Sequence, residues 1–404
     1  MSNTTLLRPL LALLFACTLN SSAQAMETVS DNASFTIKSM AALDENGDQQ
    51  MLFEDGDSIR FSAKIETTSY KPMLLFGRTS ATGVDGFKGK TFLVKFIRTS
   101  DNYTINTITK AKVPAGAEGI TTVKLELFTL KGAKADTSIS ISINTPGMAT
   151  EILKDNVTQE IATQNYYTSV GYIWKYTTPA SYLTYADLPV PPKKFLIDVR
   201  DASEFVQGHI QDAFNLSRAD LMDNSRPEIL FNLVPDINTP IITYCNGYGQ
   251  DKQFADQAAT LGYQNVRYYT NGINEWKTAS YLVMETERIK EIVDANDNSS
   301  YIVDVWTTDT ADNAKGIIPG AKAVDISEFW DSTSSTLIDN GTALTTVCPD
   351  KTKPIIFYCG GWACGKSKTA CSAGKKLGYT KQYRYQGGVN EWKDVYGYTT
   401  VPTP

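Results

Sequence analysis

"IITYCNGYG" at residues 241–249 and "IIFYCGGWACG" at 355–365 decide the fold of this chain. Each is a short β-favouring run closing on Tyr-Cys, then a glycine-bearing loop. Helical spacing follows in both, through Phe254, Ala258 and Leu261 in the first and Ala370, Ala373 and Leu377 in the second. An apolar run bounded by glycine and followed by i, i+3 or i+4, i+7 periodicity reads as strand, loop, helix. Cys245 and Cys359 then stand where the carboxyl end of a strand meets a helix N-terminus. Free backbone N–H groups and the positive end of the helix dipole converge there. That field is expected to favour thiolate and to lower both cysteine pKa values below the free value of about 8.5.

Working outward, three more blocks repeat in the same order. "FLIDVRDASEF" (195–205) answers to "YIVDVWTTDTA" (301–311), "GHIQDAFNLS" (208–217) to "GIIPGAKAVDIS" (316–327), and "YYTNGINEWK" (268–277) to "YRYQGGVNEWK" (383–393). Two copies of one α/β domain with a largely parallel central sheet follow. We expect them at 149–285 and 286–404. Ahead of them, "SFTIKSM", "DSIRFSAKIET", "KTFLVKFIRT", "TVKLELFTL" and "TSISISI" alternate with period two between polar turns. This predicts an antiparallel β-sandwich over 26–148, which carries no chemistry of its own and is open to a protein partner. Asp44-Glu45-Asn46-Gly47-Asp48 starts like a calcium loop but lacks the later glutamate, so a solvated turn is expected. A Tyr- and Thr-rich passage from about Thr145 to Pro192 ends in "LPVPPKK", a break before the first α/β strand.

Residues 1–25 contain one charge, Arg8, an apolar run from Leu10 to Leu19 and an Ala-Gln-Ala ending at Ala25. They read as a cleavable export signal, giving a periplasmic or secreted protein. Leu14-Phe15-Ala16-Cys17 offers the alternative of a lipoprotein anchored through Cys17. Net charge is −6, or −7 without Arg8, so no basic surplus exists for nucleic acid. Cys245, Cys348, Cys359, Cys364 and Cys371 remain after cleavage, an odd set for an oxidising compartment. Cys348 is spare or a disulfide partner, and Cys371 is a small core residue on the second helix. His209, the single histidine, reads as a hydrogen-bonded turn residue, and Trp276 and Trp392 as core anchors. No metal or cofactor site is expected.

The loops, "DVRDASEFVQGHI" (198–210) and the "GGVNEW" ending with its partner "NGINEW" together resemble the rhodanese-like sulfurtransferases in tandem arrangement, from about residue 180 onward. The resemblance implies that a loop cysteine takes sulfane sulfur from a small anion such as thiosulfate or polysulfide and passes it to a thiol or cyanide. That role falls on Cys359 and also on Cys245. The substrate-binding loop would be Gly360, Gly361, Trp362, Ala363, Gly365, Lys366 and Ser367. Cys364, five residues after Cys359 in the same loop, is expected either to resolve a Cys359 persulfide by thiol exchange or to pack beneath the loop. The usual family loop closes on arginine and serine. The first copy has Gln250 and Asp251 there and lacks anion-binding charge. The second has Lys366-Ser367 with about two extra residues, and Trp306 where the first copy has Arg200.

Gly360 to Ser367 also fits the spacing of a nucleotide-binding phosphate loop. Fewer than forty residues follow Ser367, too few to complete such a sheet with its magnesium-binding aspartate, and the first copy has no Gly-Lys-Ser. No nucleotide is expected. The alternative to an enzyme is a non-catalytic binding module or a thiol-disulfide redox protein. A reachable, low-pKa Cys359 would mark the enzyme, and a buried or disulfide-bonded one the alternative.

Overall fold

The computed structural model describes residues 35–67, 73–84, 89–97, 101–130, 132–162, 193–223, 227–296, 298–306 and 315–403. The expected leader over 1–25, Cys17 and residues 163–192 of the Tyr- and Thr-rich passage lie outside them.

Among the described residues eight strands build the N-terminal part: β1 (Phe35–Leu43), β2 (Leu52–Phe53), β3 (Ser58–Thr67), β4 (Met73–Thr82), β5 (Thr91–Ile97), β6 (Asp101–Lys112), β7 (Gly119–Thr129) and β8 (Lys134–Ile143). They form one sheet ordered β1-β3-β6 and another ordered β2-β8-β7-β4-β5. Alternate residues such as Ile59, Phe61 and Ile65 on β3 and Val123, Leu125 and Leu127 on β7 are buried in one cluster, the packing of a sandwich. The pairing is antiparallel except at one edge, where β2 runs parallel to β8. The Asp44 segment is a turn closed by its own side chain, whose Oδ1 accepts from the N–H groups of Gly47 and Asp48 at 2.8 Å each.

The sandwich core continues into the first α/β domain. Phe254, Ala258 and Tyr263 belong to the same apolar cluster as the sandwich residues. Gln264 Nε2 donates to the Thr145 carbonyl at 2.9 Å, and Gly147 N–H to that of Ala259 at 3.0 Å. The domain's sheet comprises β9 (Thr150–Glu151), β10 (Phe195–Asp198), β11 (Phe214–Asn215), β12 (Ile241–Tyr244) and β13 (Val266–Tyr269), ordered β11-β10-β12-β13-β9 and parallel throughout.

The second domain repeats it with β14 (Leu282–Val283), β15 (Tyr301–Asp304), β16 (Lys322–Ala323), β19 (Ile355–Tyr358) and β20 (Gln382–Tyr385), ordered β14-β20-β19-β15-β16 and also parallel. A small antiparallel pair, β17 (Trp330–Asp331) with β18 (Thr336–Leu337), sits between. The expected boundary at 285 leaves Leu282–Val283 with the first domain. Instead this run pairs with Tyr383 and Arg384 and is an edge of the second sheet. His209 ties the two domains together: its N–H donates to Val283 O at 2.9 Å, its Nε2 lies 2.6 Å from Glu285 Oε1, and Phe205 stacks on its ring.

Both central strands, Ile241–Tyr244 and Ile355–Tyr358, are buried along their whole length, because helices cover both faces of a parallel sheet. The helix Lys366–Leu377 buries Ala370, Cys371, Ala373 and Leu377. In its counterpart, Gln250–Thr260, Phe254 and Ala258 are buried, while Leu261 at the C-cap is half-buried.

Candidate functional site

In the second domain β19 delivers Cys359 to a loop held from three sides. The Tyr358 hydroxyl, fully buried, accepts the Ile318 N–H at 3.0 Å; Tyr244 does the same for Ile210 at 3.0 Å. The tyrosine of Tyr-Cys is thus a structural clamp. The loop then doubles back, with Cys364 N–H donating to Gly361 O at 2.8 Å before the helix begins at Lys366. From above, the turn after β20 locks it. Val389 N–H donates to Cys359 O at 3.1 Å and Asn390 N–H to Gly360 O at 2.9 Å. Gly388, at φ +59°, comes so close that a Cβ there would stand 2.1 Å from the Cys359 carbonyl oxygen. Only glycine fits that position. Gly272 repeats the arrangement against Cys245 O, at φ +52° and 2.0 Å.

The two thiols differ sharply in setting. Cys359 is 1% exposed, its Sγ within hydrogen-bonding reach of Cys364 O and of the Ser367 hydroxyl, each at 3.4 Å. Burial pushes its pKa well above the ordinary value, and the neighbouring Cys364 thiolate adds to the rise. Cys364 is half-exposed. Its pKa is pulled down to about 6, first by the hydrogen bond from Cys359, then by the backbone N–H groups of Lys366 and Gly360 and the Lys366 charge. The thiolate-favouring field expected at Cys359 therefore acts on Cys364. The helix N-terminus reaches both sulfurs, but only Cys364 keeps enough solvent to hold the charge. All five described cysteines are free thiols, and burial lifts Cys348 and Cys371 to about 12.

Cys364, Gly360, Gly361, Trp362 and Ala363 line a pocket of about 530 Å³ together with Trp306, Asn390 and Asp394. Three of the expected loop residues serve otherwise. Ser367 is fully buried and holds Cys359, and Gly365 stands outside the pocket wall. Lys366 donates from Nζ to the Trp306 carbonyl and stands 3.6 Å from Asp325, so its head is tied down rather than presented to an anion. Arg384 on β20 escaped the sequence reading. Nearly buried, it donates from Nε to Ser367 Oγ at 2.9 Å and from Nη2 to Cys364 O at 3.1 Å. It braces both ends of the dithiol loop. Its signal was the repeat itself, which sets Arg384 against Tyr268.

The rhodanese-like domain family matches residues 185–279 and 281–395, together more than half of the chain. The chain belongs to the rhodanese-like family. Among solved structures it is similar to a thiosulfate sulfurtransferase from Pseudomonas aeruginosa, 20% identical, over 52% of this chain and 42% of that one, with TM-score 0.21. The chain thus spans about two fifths of that protein's length. A 3-mercaptopyruvate sulfotransferase from Escherichia coli is 17% identical over 59% of this chain and 98% of its own, TM-score 0.24. A rhodanese-like domain from Anabaena is 26% identical over 22% and 62%, TM-score 0.19.

The first rhodanese-like domain presents a closed site. Cys245 is fully buried and donates to Asp251 Oδ1 at 3.2 Å, while Gly247 N–H reaches its sulfur at 3.3 Å. Asp251 is itself fully buried, its pKa raised by burial. A carboxyl group is thus packed on the sulfur, while the Arg200 guanidinium reaches the loop only at Asn246, Nη1 to Oδ1 at 3.5 Å. The supporting aspartates also differ. Asp198 receives the Arg200 guanidinium, Nε to Oδ1 at 2.9 Å. Trp306 replaces that arginine in the second domain and packs against Gly360. Asp304 keeps the Trp306 N–H at 2.9 Å, and burial pushes its pKa up to about 6.

Proposed function

We propose that this protein is an exported sulfurtransferase that moves sulfane sulfur from thiosulfate or polysulfide to a thiol or cyanide acceptor, using the dithiol loop of its second domain. The observation that carries the reading is the pair of free thiols at the strand–helix junction, one of them lining a pocket wide enough for a small sulfur anion. A buried Cys359 alone would favour a binding module. The half-exposed Cys364 beside it answers that objection, since its lowered pKa supplies thiolate at neutral pH. Export rests on the leader-like first 25 residues; an N-terminus near Met26 in protein from the extracytoplasmic fraction supports export with soluble release, a lipid-modified Cys17 replaces soluble release by an anchored protein, and an uncleaved chain in the cytoplasm rejects export.

The sulfur-transfer reading is tested by thiocyanate formation from thiosulfate and cyanide. The parent protein should turn over, and a protein with both Cys359→Ser and Cys364→Ser should not. Equal rates from the two would end the reading. A thiol-disulfide redox role is the second reading, favoured by two free thiols in one loop, with Cys359 Sγ 3.4 Å from the Cys364 carbonyl; it predicts exchange with a dithiol when no sulfur donor is present.

A further inference from the structure

The family resemblance puts the reacting sulfur on the cysteine that ends the strand, which is Cys359. The geometry reverses that order. A donor as large as thiosulfate must bring its outer sulfur within bonding distance of the attacking thiolate, along a line open to solvent. Cys359 is 1% exposed, roofed by the loop and fixed by Ser367 and the Cys364 carbonyl. Cys364 forms part of the pocket wall with Trp362 and Asn390, and its carbonyl is held by Arg384. The turn from Gly361 O to Cys364 N folds the loop back on itself, so that Cys359 Sγ lies 3.4 Å from the carbonyl oxygen of Cys364.

We propose that Cys364 is the thiol that takes the sulfane sulfur, and that Cys359 behind it is the resolving thiol. The proposal rests on the sulfur-transfer reading above. In the first step the Cys364 thiolate attacks the outer sulfur of thiosulfate. A Cys364–sulfur bond forms, the sulfur–sulfur bond of the donor breaks, and sulfite leaves with the electron pair, giving Cys364 persulfide. In the second step the Cys359 sulfur attacks the inner sulfur of that persulfide. A Cys359–Cys364 disulfide forms, the persulfide bond breaks, and sulfide leaves with the electron pair and the Cys359 proton. The transferred sulfur is reduced and the two cysteines are oxidised, so a dithiol reductant must regenerate the loop. An acceptor thiol reaching Cys364 first would divert the sulfur before the disulfide closes.

The lowered pKa of Cys364 and the raised one of Cys359 agree with this order. At pH 7 Cys364 is then mostly thiolate and Cys359 mostly thiol, and the lower intrinsic nucleophilicity of the more acidic thiol offsets part of that advantage. With exposure added, Cys364 should alkylate at least about tenfold faster than Cys359.

The test begins with the reduced full chain and limiting iodoacetamide at pH 7, located by peptide mass. Cys364 is expected to be labelled first; labelling of Cys359 first overturns the proposal without any variant having to fold. The protein is then given thiosulfate or polysulfide without an acceptor. Sulfide should appear together with a Cys359–Cys364 disulfide. Cys359→Ser, or Cys359→Ala as a second variant, should hold one extra sulfur on Cys364 and release little sulfide, and Cys364→Ser should take up none. Uptake by Cys359 at the parent rate in Cys364→Ser overturns the assignment. Selective alkylation of Cys364 with no sulfur uptake from either donor rejects instead the sulfur-transfer reading and the steps built on it.

Discussion

Replacing Gly388 by alanine should distort the dithiol loop through one atom. The added Cβ would stand 2.1 Å from Cys359 O and 2.9 Å from Gly361 N, both backbone atoms, so the turn or the loop must move by about 1 Å to restore ordinary contact. Gly388 sits at φ +59°, where a side chain costs about 1–2 kcal/mol. Straining the hydrogen bonds from Val389 and Asn390 to the loop carbonyls adds about 1 kcal/mol. The expected loss is about 2–3 kcal/mol, read from urea or thermal unfolding. Sulfur transfer should fall on the order of a hundredfold, because that is what a displacement of about 1 Å at reacting groups costs. Gly378→Ala is the control. Its φ is +88° but the nearest atom is a flexible lysine carbon at 4.0 Å, so it carries the conformational cost alone, about 1 kcal/mol, and leaves transfer intact. If the two variants match in stability and in activity, the contact between the Gly388 turn and Cys359 does not hold the loop.

The same substitution in the two copies should have opposite signs. Asp304 has a folded pKa raised to about 6 from 3.8, so its contribution to stability is full below about pH 3.8 and lost as pH rises through about 6, by roughly 3 kcal/mol at most. Asp304→Asn should therefore stabilise the protein at pH 7 and not at pH 3.5, whereas Asp198→Asn strands the buried Arg200 and should cost about 3–5 kcal/mol at pH 7; unfolding curves at both pH values decide, and equal losses would refute the contrast. Arg384→Leu leaves Ser367 Oγ and Cys364 O short of a donor and should cost about 1–3 kcal/mol, with faster alkylation of Cys359 as the loop loosens; unchanged stability and labelling would contradict the bracing role. The alkylation rate of Cys364 should rise with pH to a midpoint near 6 and be flat from pH 7 to 8. A midpoint above 8 would remove the anchored thiolate.

The α/β half was legible because two buried strands, two glycine turns and two tryptophan anchors recur in one order, and each has a local cause. Ile355–Tyr358 has to be buried on both faces, and Gly388 has to be glycine. In the sandwich, β4 and β6 were not read. β4 contains Gly77, which reads as a break, yet a Cβ there would meet the Phe92 ring at 2.6 Å, so the glycine seats a neighbouring aromatic. β6 is rich in threonine and asparagine and its partner shifts register between Phe61 and Ala63, which disrupts the period-two signal. The roles of Cys359 and Cys364 were not legible either. Spacing shows that both lie in one loop, but which sulfur is roofed depends on the Gly361–Cys364 turn and on Arg384, which is set opposite Phe357 only when β19 and β20 pair.

The most direct measurement is peptide mass spectrometry of the reduced full chain after brief exposure to thiosulfate or polysulfide, quenched by alkylation. The account predicts that one extra sulfur, or the disulfide left by its departure, falls on the peptide spanning Cys359 and Cys364, while Cys245, sealed against Asp251, stays unmodified. A sulfur adduct on Cys245, or neither an adduct nor a Cys359–Cys364 disulfide, would contradict it.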